Sequence, residues 1–447
     1  MKGMTIKAAA QACCGELMGS VSENTELGRV VIDSRAVEKG DLFVAYKGEK
    51  ADGHDYISTA FDKGAACCLA SRMPEGETRP VILVPDVQDA LEAISTRYRE
   101  MLKLPMIGIS GSVGKTSAKE MIAAVLSSRF QVLKTDKNLN NQIGVPMTIS
   151  RIRPEHDVAV VEMGISDFGE MSRLAQIVRP TIAVFTVIGH AHLEFLHDLD
   201  GVFEAKTEML DYMPDSGIVI VNGDDEHLAG LSCRQKKISV GLGENCDVRA
   251  ENIELFESSC RCLISYGDRH IQANIPAFGR HMIYAALEGA AVGFVMGLED
   301  REIEAGIAAY ETVGRRAAVT DTGRIVLIDD SYNANPDSVK SGIESLLRLP
   351  GRHVCILGDM LELGEDEREM HYDVGRYAAE HGVEAVLSCG NLAAAVSAGA
   401  GEKGRHFENM EALIAALPAL IHKGDAVLVK ASRGAHFEKI AEALKAL

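Results

Sequence analysis

Ile107-Gly108-Ile109-Ser110-Gly111-Ser112-Val113-Gly114-Lys115-Thr116-Ser117 is the stretch on which the reading of this 447-residue chain turns. Met106, Ile107 and Ile109 read as the end of a short buried strand. Beyond the turn, Met121, Ile122, Val125 and Leu126 fall on one face of a helix. Strand, glycine-rich turn, Lys-Thr and helix together describe a phosphate-binding P-loop. Its glycines let backbone N–H groups turn inward around phosphate oxygens, and the helix N-terminus adds its positive dipole end. Gly111, Ser112, Gly114, Lys115, Thr116 and Ser117 thus form a candidate nucleotide cradle. Lys115 can reach the outer phosphates, and the Thr116 hydroxyl suits Mg²⁺. One departure is visible: the usual pattern has Gly five residues before Gly114, where this chain has Ile109.

Composition limits the alternatives. A chain of this length should hold two to four domains, and a hydrophobic content of 47% is enough for real cores. The net charge of −19 argues against nucleic-acid or anionic-membrane binding, so an anionic substrate needs a locally basic site. The start, Met-Lys-Gly-Met-Thr, has no long apolar region, and no window has the length of a membrane span; residues 283–298 come closest but contain Glu288. A cytoplasmic monomer is the expectation. The ten cysteines include no Cys-x-x-Cys pair, which favours idle or buried thiols over a metal or disulfide framework.

Outward from the P-loop, strand and helix alternate. Asp157–Val161 reads as a strand ending in Glu162, Thr181–Val187 as one leading to Gly189-His190-Ala191-His192, and Gly217–Val221 as one ending in Asn222-Gly223-Asp224-Asp225. Such alternation implies a parallel sheet with helices on both faces, and ligands then gather at the carboxyl ends of the strands. Lys115, Glu162 and His192 all fall just past such ends. Residues 233–276 look like a β-rich excursion, followed by helices at Gly279–Gly297 and Asp300–Thr312. After Gly314-Arg315-Arg316 a fresh alternation begins, with strands at Ile325–Ile328, His353–Leu357, Ala385–Cys389 and Ala426–Lys430. Upstream, residues 1–85 read as a small mixed unit: a helix at Ile6–Leu17, strands at Val30–Asp33, Leu42–Tyr46, Ala65–Ala70 and Val81–Val84, and a helix at Tyr56–Lys63. A helix from Val87 to Lys103 leads into the P-loop strand. The expected domains are 1–85, 86–312 and 313–447, all α/β.

Several positions suit chemistry beyond the P-loop. Glu162, at the end of an apolar strand, stands where a Mg²⁺-ligating carboxylate belongs opposite Thr116. Spacing alone leaves His190 and His192 nearly even, and the helix beginning at Leu193-Glu194 favours His192 as the metal candidate. Lys206 by itself reads as an ordinary surface lysine. Arg35, in Asp33-Ser34-Arg35, is either a bidentate phosphate donor or a solvated loop arginine. Asp329-Asp330-Ser331-Tyr332-Asn333-Ala334-Asn335-Pro336 has the density of carboxylates, amides and hydroxyls that suits ribose, base or phosphate, or equally a capping loop of Asx turns.

Together with Asn138-Leu139-Asn140-Asn141-Gln142-Ile143-Gly144-Val145-Pro146, Ala191-His192-Leu193-Glu194 and Ala205-Lys206, these runs resemble the Mur ligases. The resemblance extends from the Asp33 loop to Lys430-Ala431-Ser432-Arg433, nearly the whole chain. It implies three domains: a small N-terminal UDP-substrate domain, a central P-loop ATPase domain with a parallel sheet, and a C-terminal Rossmann-like domain that closes over both. It implies ATP and Mg²⁺ as cofactors and an ADP-forming amide ligation through an acyl phosphate. The Asp329–Pro336 run points to the activity that adds D-alanyl-D-alanine to UDP-N-acetylmuramoyl-tripeptide in peptidoglycan precursor synthesis. The alternatives are another muramyl ligase, a folylpolyglutamate synthase or, outside the class, a P-loop switch ATPase.

By the same resemblance Thr116 and Glu162 would hold one Mg²⁺, and His192 a second with Lys206, carbamylated in the family. Arg315 would reach the ATP phosphates, and Asp330, Asn333 and Asn335 would serve the nucleotide. Ser34, Arg35, Asp52 and His54 would face the UDP-sugar; Asn138, Asn140 and Asn141 would line the crevice near the tripeptide. The family's two Asn residues after Gly279-Arg280-His281 are Met282 and Ala285 here, and an Asn two residues before Gly189 is Val187.

Lys115→Ala should lower turnover by about 10²–10³, the loss typical of a contact aimed at developing charge. Near-normal steady-state rates for this variant would contradict the P-loop reading.

Overall fold

The computed structural model describes residues 1–20, 22, 24–48, 51–314 and 316–447. Three sheets organise them. The first runs Glu16–Met18, Val81–Leu83, Cys67–Ala70, Leu42–Val44, Val30–Val31, with only the first pair antiparallel. The third runs Ala318–Asp321, Val326–Asp330, Ala426–Lys430, His353–Leu357, Ala385–Cys389, Gly404–Phe407, again antiparallel only at its first pair. The chain is therefore a three-domain α/β protein, and we propose 85/86 and 312/313 as the domain limits.

The central sheet has nine strands. Its parallel part runs Val132–Lys134, Val158–Glu162, Met106–Ser110, Ile182–Phe185, Ile218–Asn222, Lys236–Gly241 and Val248–Leu255. Cys260–Tyr266 and Arg269–Ile275 then add antiparallel, so the β-rich excursion extends the main sheet. The P-loop strand is buried throughout, with Val158–Glu162 on one side and Ile182–Phe185 on the other. Three carboxyl ends therefore lie side by side.

Helix Lys115–Leu126 behind the P-loop is held by close packing. Cβ atoms added at Gly289 and Gly293, on helix His281–Val295, would come within 2.9 Å of Met121 Cγ and 3.0 Å of a Val125 methyl. Gly306, on helix Asp300–Ala308, faces the backbone of Val125. The opposite face of the sheet shares one core with the N-terminal unit, from Met4, Leu42 and Leu91 to Val161, Phe185 and Val219. Helix Val87–Met101 joins the two, and its buried Arg99 donates to the carbonyls of Val178 and Leu102.

One expected element differs. The first helix ends at Ala12; Cys14 turns left-handed, and residues 16–18 form a strand paired with Val81–Leu83. A Cβ at Gly15 would lie 2.5 Å from Ile82 Cγ2, so glycine lets the chain run against that strand, and sheet pairing overrides the helical pattern of Glu16 and Leu17. Among the described residues no helix is long and apolar enough to cross a membrane.

Gly306→Ala should lower the melting temperature, because its Cβ would stand 2.4 Å from Val125 Cα. Overpacking of this kind costs about 1–3 kcal/mol. A melting temperature equal to the parent's would show that the two helices separate freely.

Candidate active site

The P-loop conformation depends on two glycines. Gly111 has φ +148°, and a Cβ there would sit 2.0 Å from Thr186 Oγ1; Gly114 caps the helix at φ +88°. Ser112 N–H donates to Val187 O at 2.8 Å, and Ser112 Oγ bonds both Gly189 O and Gly189 N at 2.9 Å. The loop is thus stitched to the chain after the neighbouring strand, which carries His190 and His192. Lys115 Nζ folds back onto Gly111 O at 2.6 Å and Ser112 O at 3.3 Å. Burial pushes its pKa down to about 8; the Glu162 charge opposes this and the Arg316 charge adds to it.

Thr116 and Glu162, both buried, meet as the strand-end geometry requires. Thr116 Oγ1 lies 3.1 and 3.0 Å from the two Glu162 carboxylate oxygens. Asn140 Nδ2 donates to Glu162 Oε1 at 2.8 Å, and Glu162 N–H donates to Thr135 Oγ1 at 3.0 Å. Lys119, wholly buried one turn along the P-loop helix, sits 3.7 Å from Glu162 Oε2 and 3.0 Å from Glu120 Oε1 and donates to Thr135 O at 2.9 Å.

Beside this cluster, helix Leu199–Thr207 buries Lys206 to 1% exposure. Its ammonium has no hydrogen bond or ion pair among the described residues. Burial, then the Lys115 charge, hold its pKa well below the ordinary lysine range. His192 caps the four-residue helix Leu193–Leu196 at φ +58°. Its pKa is lowered by burial and then by the Lys206 charge, while Glu362 opposes. Lys115, Lys206 and His192 therefore share one crevice.

The C-terminal domain closes over it. Asp337 accepts from His190 N–H at 2.8 Å and lies 3.0 Å from its Nδ1; Glu362 Oε2 lies 2.5 Å from His192 Nδ1. Arg316 lies 4.1 Å over the Tyr332 ring, and its charge reaches Lys115. Arg315 lies outside the described residues.

The other expected positions divide. Asp330 accepts from Ala317 N–H at 3.1 Å and pairs with Lys430, which also donates to Asn333 O at 2.9 Å. Asn335 caps helix Pro336–Leu346, bonding Ser338 N at 2.9 Å. Asn141 similarly accepts from Gly144 N–H, at the start of helix Gly144–Ser150, and Asn138 is half-buried beside it. Tyr310 bonds Ser117 behind the loop. In the N-terminal domain Arg35 is exposed and paired with Asp33 at 2.8 Å, next to buried Ser34. His54 is buried with both ring nitrogens engaged, Nδ1 by Asp52 at 2.6 Å and Nε2 by Ser71 N–H at 3.0 Å. Sequence reasoning missed Lys119, Arg316, Asp337 and Glu362; only Lys119, in helical register behind Thr116, had a local signal.

The donors suit Mg²⁺. Thr116 and Glu162 present hard oxygens to one point. Lys206 is a buried amine with no counter-charge among the described residues, an arrangement that carbamylation would resolve by turning it into an anionic oxygen ligand.

Comparison with known proteins is consistent along the chain. Residues 26–99 match the Mur ligase family catalytic domain, 109–293 the Mur ligase middle domain, and 314–433 the Mur ligase glutamate ligase domain. The UDP-N-acetylmuramoyl-tripeptide–D-alanyl-D-alanine ligase of Bacillus subtilis is 34% identical, over 98% of each chain. That of Escherichia coli is 35% identical over 100% of this chain and 99% of its own. A crystal structure of MurF from Acinetobacter baumannii superposes with a TM-score of 0.92 at 30% identity over 99% of each chain. The MurF ligase of Thermotoga maritima in complex with ADP gives 0.83 at 27% identity, over 94% of this chain and 97% of its own.

Gly111→Ala should weaken ATP binding at least about tenfold with the circular dichroism spectrum unchanged, since the loop must move to clear Thr186. Unaltered affinity by calorimetry would contradict this account of the cradle.

Proposed function

The chain belongs to the Mur ligase family, and from that premise we propose that it adds D-alanyl-D-alanine to UDP-N-acetylmuramoyl-tripeptide, converting ATP to ADP and phosphate, in cytoplasmic peptidoglycan precursor synthesis. The observation that carries this reading is the convergence of the P-loop, the Thr116–Glu162 pair, His192 and buried Lys206 on one crevice under the C-terminal domain.

A carboxylate is a poor electrophile at neutral pH. In the first step a carboxylate oxygen of the tripeptide attacks Pγ, the bond from Pγ to the β-bridging oxygen breaks, and ADP leaves. In the second step the D-alanyl-D-alanine amine attacks the acyl carbon, loses a proton, and expels phosphate. The demands are charge neutralisation and positioning. The P-loop amides and Lys115 would hold the phosphoryl oxygens; Arg315 and its neighbour Arg316 would add charge from the C-terminal side. Thr116 with Glu162, and His192 with carbamylated Lys206, would hold Mg²⁺, which when bound supplies charge neutralisation at the phosphates. Asn140 and Lys119 keep Glu162 oriented. Asp330, Asn333 and Asn335 would shape the nucleotide end; Ser34, Arg35 and the Asp52–His54 loop the UDP end; Asn138 and Asn141 the tripeptide side. Closure of the C-terminal domain would exclude the water that hydrolyses an acyl phosphate.

Mass spectrometry of products from ATP, UDP-N-acetylmuramoyl-tripeptide and D-alanyl-D-alanine should show the UDP-linked pentapeptide. ADP release that does not depend on D-alanyl-D-alanine would overturn the reading. Lys206→Ala should be nearly inactive and partly rescued by acetate, whereas Lys115→Ala, which lacks a cation, should not respond. Full activity of Lys206→Ala without added carboxylate would show that Lys206 is not a ligand.

A further inference from the structure

We propose that Glu362 is a positioning residue that makes the orientation of the His192 ring conditional on domain closure. The inference deepens the ligase reading and rests on it. Both partners stand in left-handed backbone, His192 at φ +58° and Glu362 at φ +62°. Non-glycine residues hold that conformation only where their surroundings enforce it. Here each loop enforces the other. Glu362 Oε2 lies 2.5 Å from His192 Nδ1, and Glu194 N–H donates to Glu362 O at 3.3 Å. A Cβ on Gly364 would already touch Glu194 N at 3.4 Å, so the two backbones run in contact.

A carboxylate on Nδ1 keeps the proton there and leaves Nε2 with its lone pair as the free ring nitrogen. Glu362 follows strand His353–Leu357 in the C-terminal domain, 170 residues along the chain. His192 is therefore aimed only while that domain is docked.

Asp337 supplies the contrast. It grips the backbone N–H as well as the ring of His190, from the first turn of helix Pro336–Leu346. Asp337 fastens the loop, whereas Glu362 holds the ring of His192 itself. Losing Asp337 should weaken docking; losing Glu362 should also release the ring.

The experiment compares Glu362→Ala, Glu362→Gln and Asp337→Ala with the parent enzyme. Steady-state ligation is measured alongside Mn²⁺ binding to the enzyme–ADP–UDP-substrate complex by electron paramagnetic resonance. Glu362→Ala should lose about 10–100-fold in both kcat and Mn²⁺ affinity, the usual cost of removing a ligand's supporting carboxylate, with UDP-substrate affinity unchanged. Glu362→Gln, which fills the same volume and can still accept from Nδ1–H, should recover part of both. Asp337→Ala should lower kcat and, by weakening docking alone, lower Mn²⁺ affinity clearly less than Glu362→Ala does, because the Glu362–His192 pair still forms whenever the domain docks. Unchanged Mn²⁺ affinity in Glu362→Ala, or an equal loss in Asp337→Ala, would overturn the proposal. Because Mn²⁺ binding is read without turnover, and the parent is assayed beside the variants, failure of the ligase reading appears as an inactive parent.

Discussion

Positive charge concentrated in a desolvated crevice is the constraint on which the rest of the architecture depends. Burial disfavours the ammonium forms of both Lys115 and Lys206; the Lys115 charge adds to this at Lys206, and the Arg316 charge adds to it at Lys115. An unpaired buried ion carries a penalty of several kcal/mol, so the fold must supply compensation or leave it to a ligand. It does the first for Lys119, enclosed by Glu120, Glu162 and Thr135 O, and the second for Lys115, whose hydrogen-bond partners among the described residues are the loop's own carbonyls. A polyphosphate is the natural answer in a chain whose net charge of −19 would otherwise repel it.

The sheet order explains why these groups meet. Parallel pairing puts the ends of Met106–Ser110, Val158–Glu162 and Ile182–Phe185 in adjacent register, so Gly111, Glu162 and Thr186 emerge together. Glycines in the flanking helices let the P-loop helix pack tightly, and the Ser112–Gly189 bonds fix the loop relative to His190 and His192. The C-terminal domain then reaches that same segment with two carboxylates. Docking of that domain is thereby tied to the orientation of His190 and His192.

Much of this was legible in the sequence where the signal is local. The P-loop, the strand ending in Glu162 and the alternation after residue 314 depend on spacing along one element. Asn141 and Asn335, expected at the ligand crevice, also cap helices in the structure, and both nitrogens of His54 are engaged within the N-terminal domain; spacing along the chain shows a polar loop residue but not these structural duties. Glu362 and Asp337 were invisible because their meaning depends on how two domains meet. The strands Val132–Lys134, Ala318–Asp321 and Gly404–Phe407 were too short to carry a period.

The central claim is that the crevice activates a carboxylate by phosphoryl transfer. Isotope transfer tests it most directly: UDP-N-acetylmuramoyl-tripeptide carrying ¹⁸O in both oxygens of its reacting carboxylate is ligated with unlabelled ATP, and the released phosphate is analysed by mass spectrometry. The account predicts one ¹⁸O in each phosphate and one retained in the new amide, because the acyl phosphate's bridging oxygen leaves with phosphorus. Unlabelled phosphate accompanying normal amide formation would contradict it.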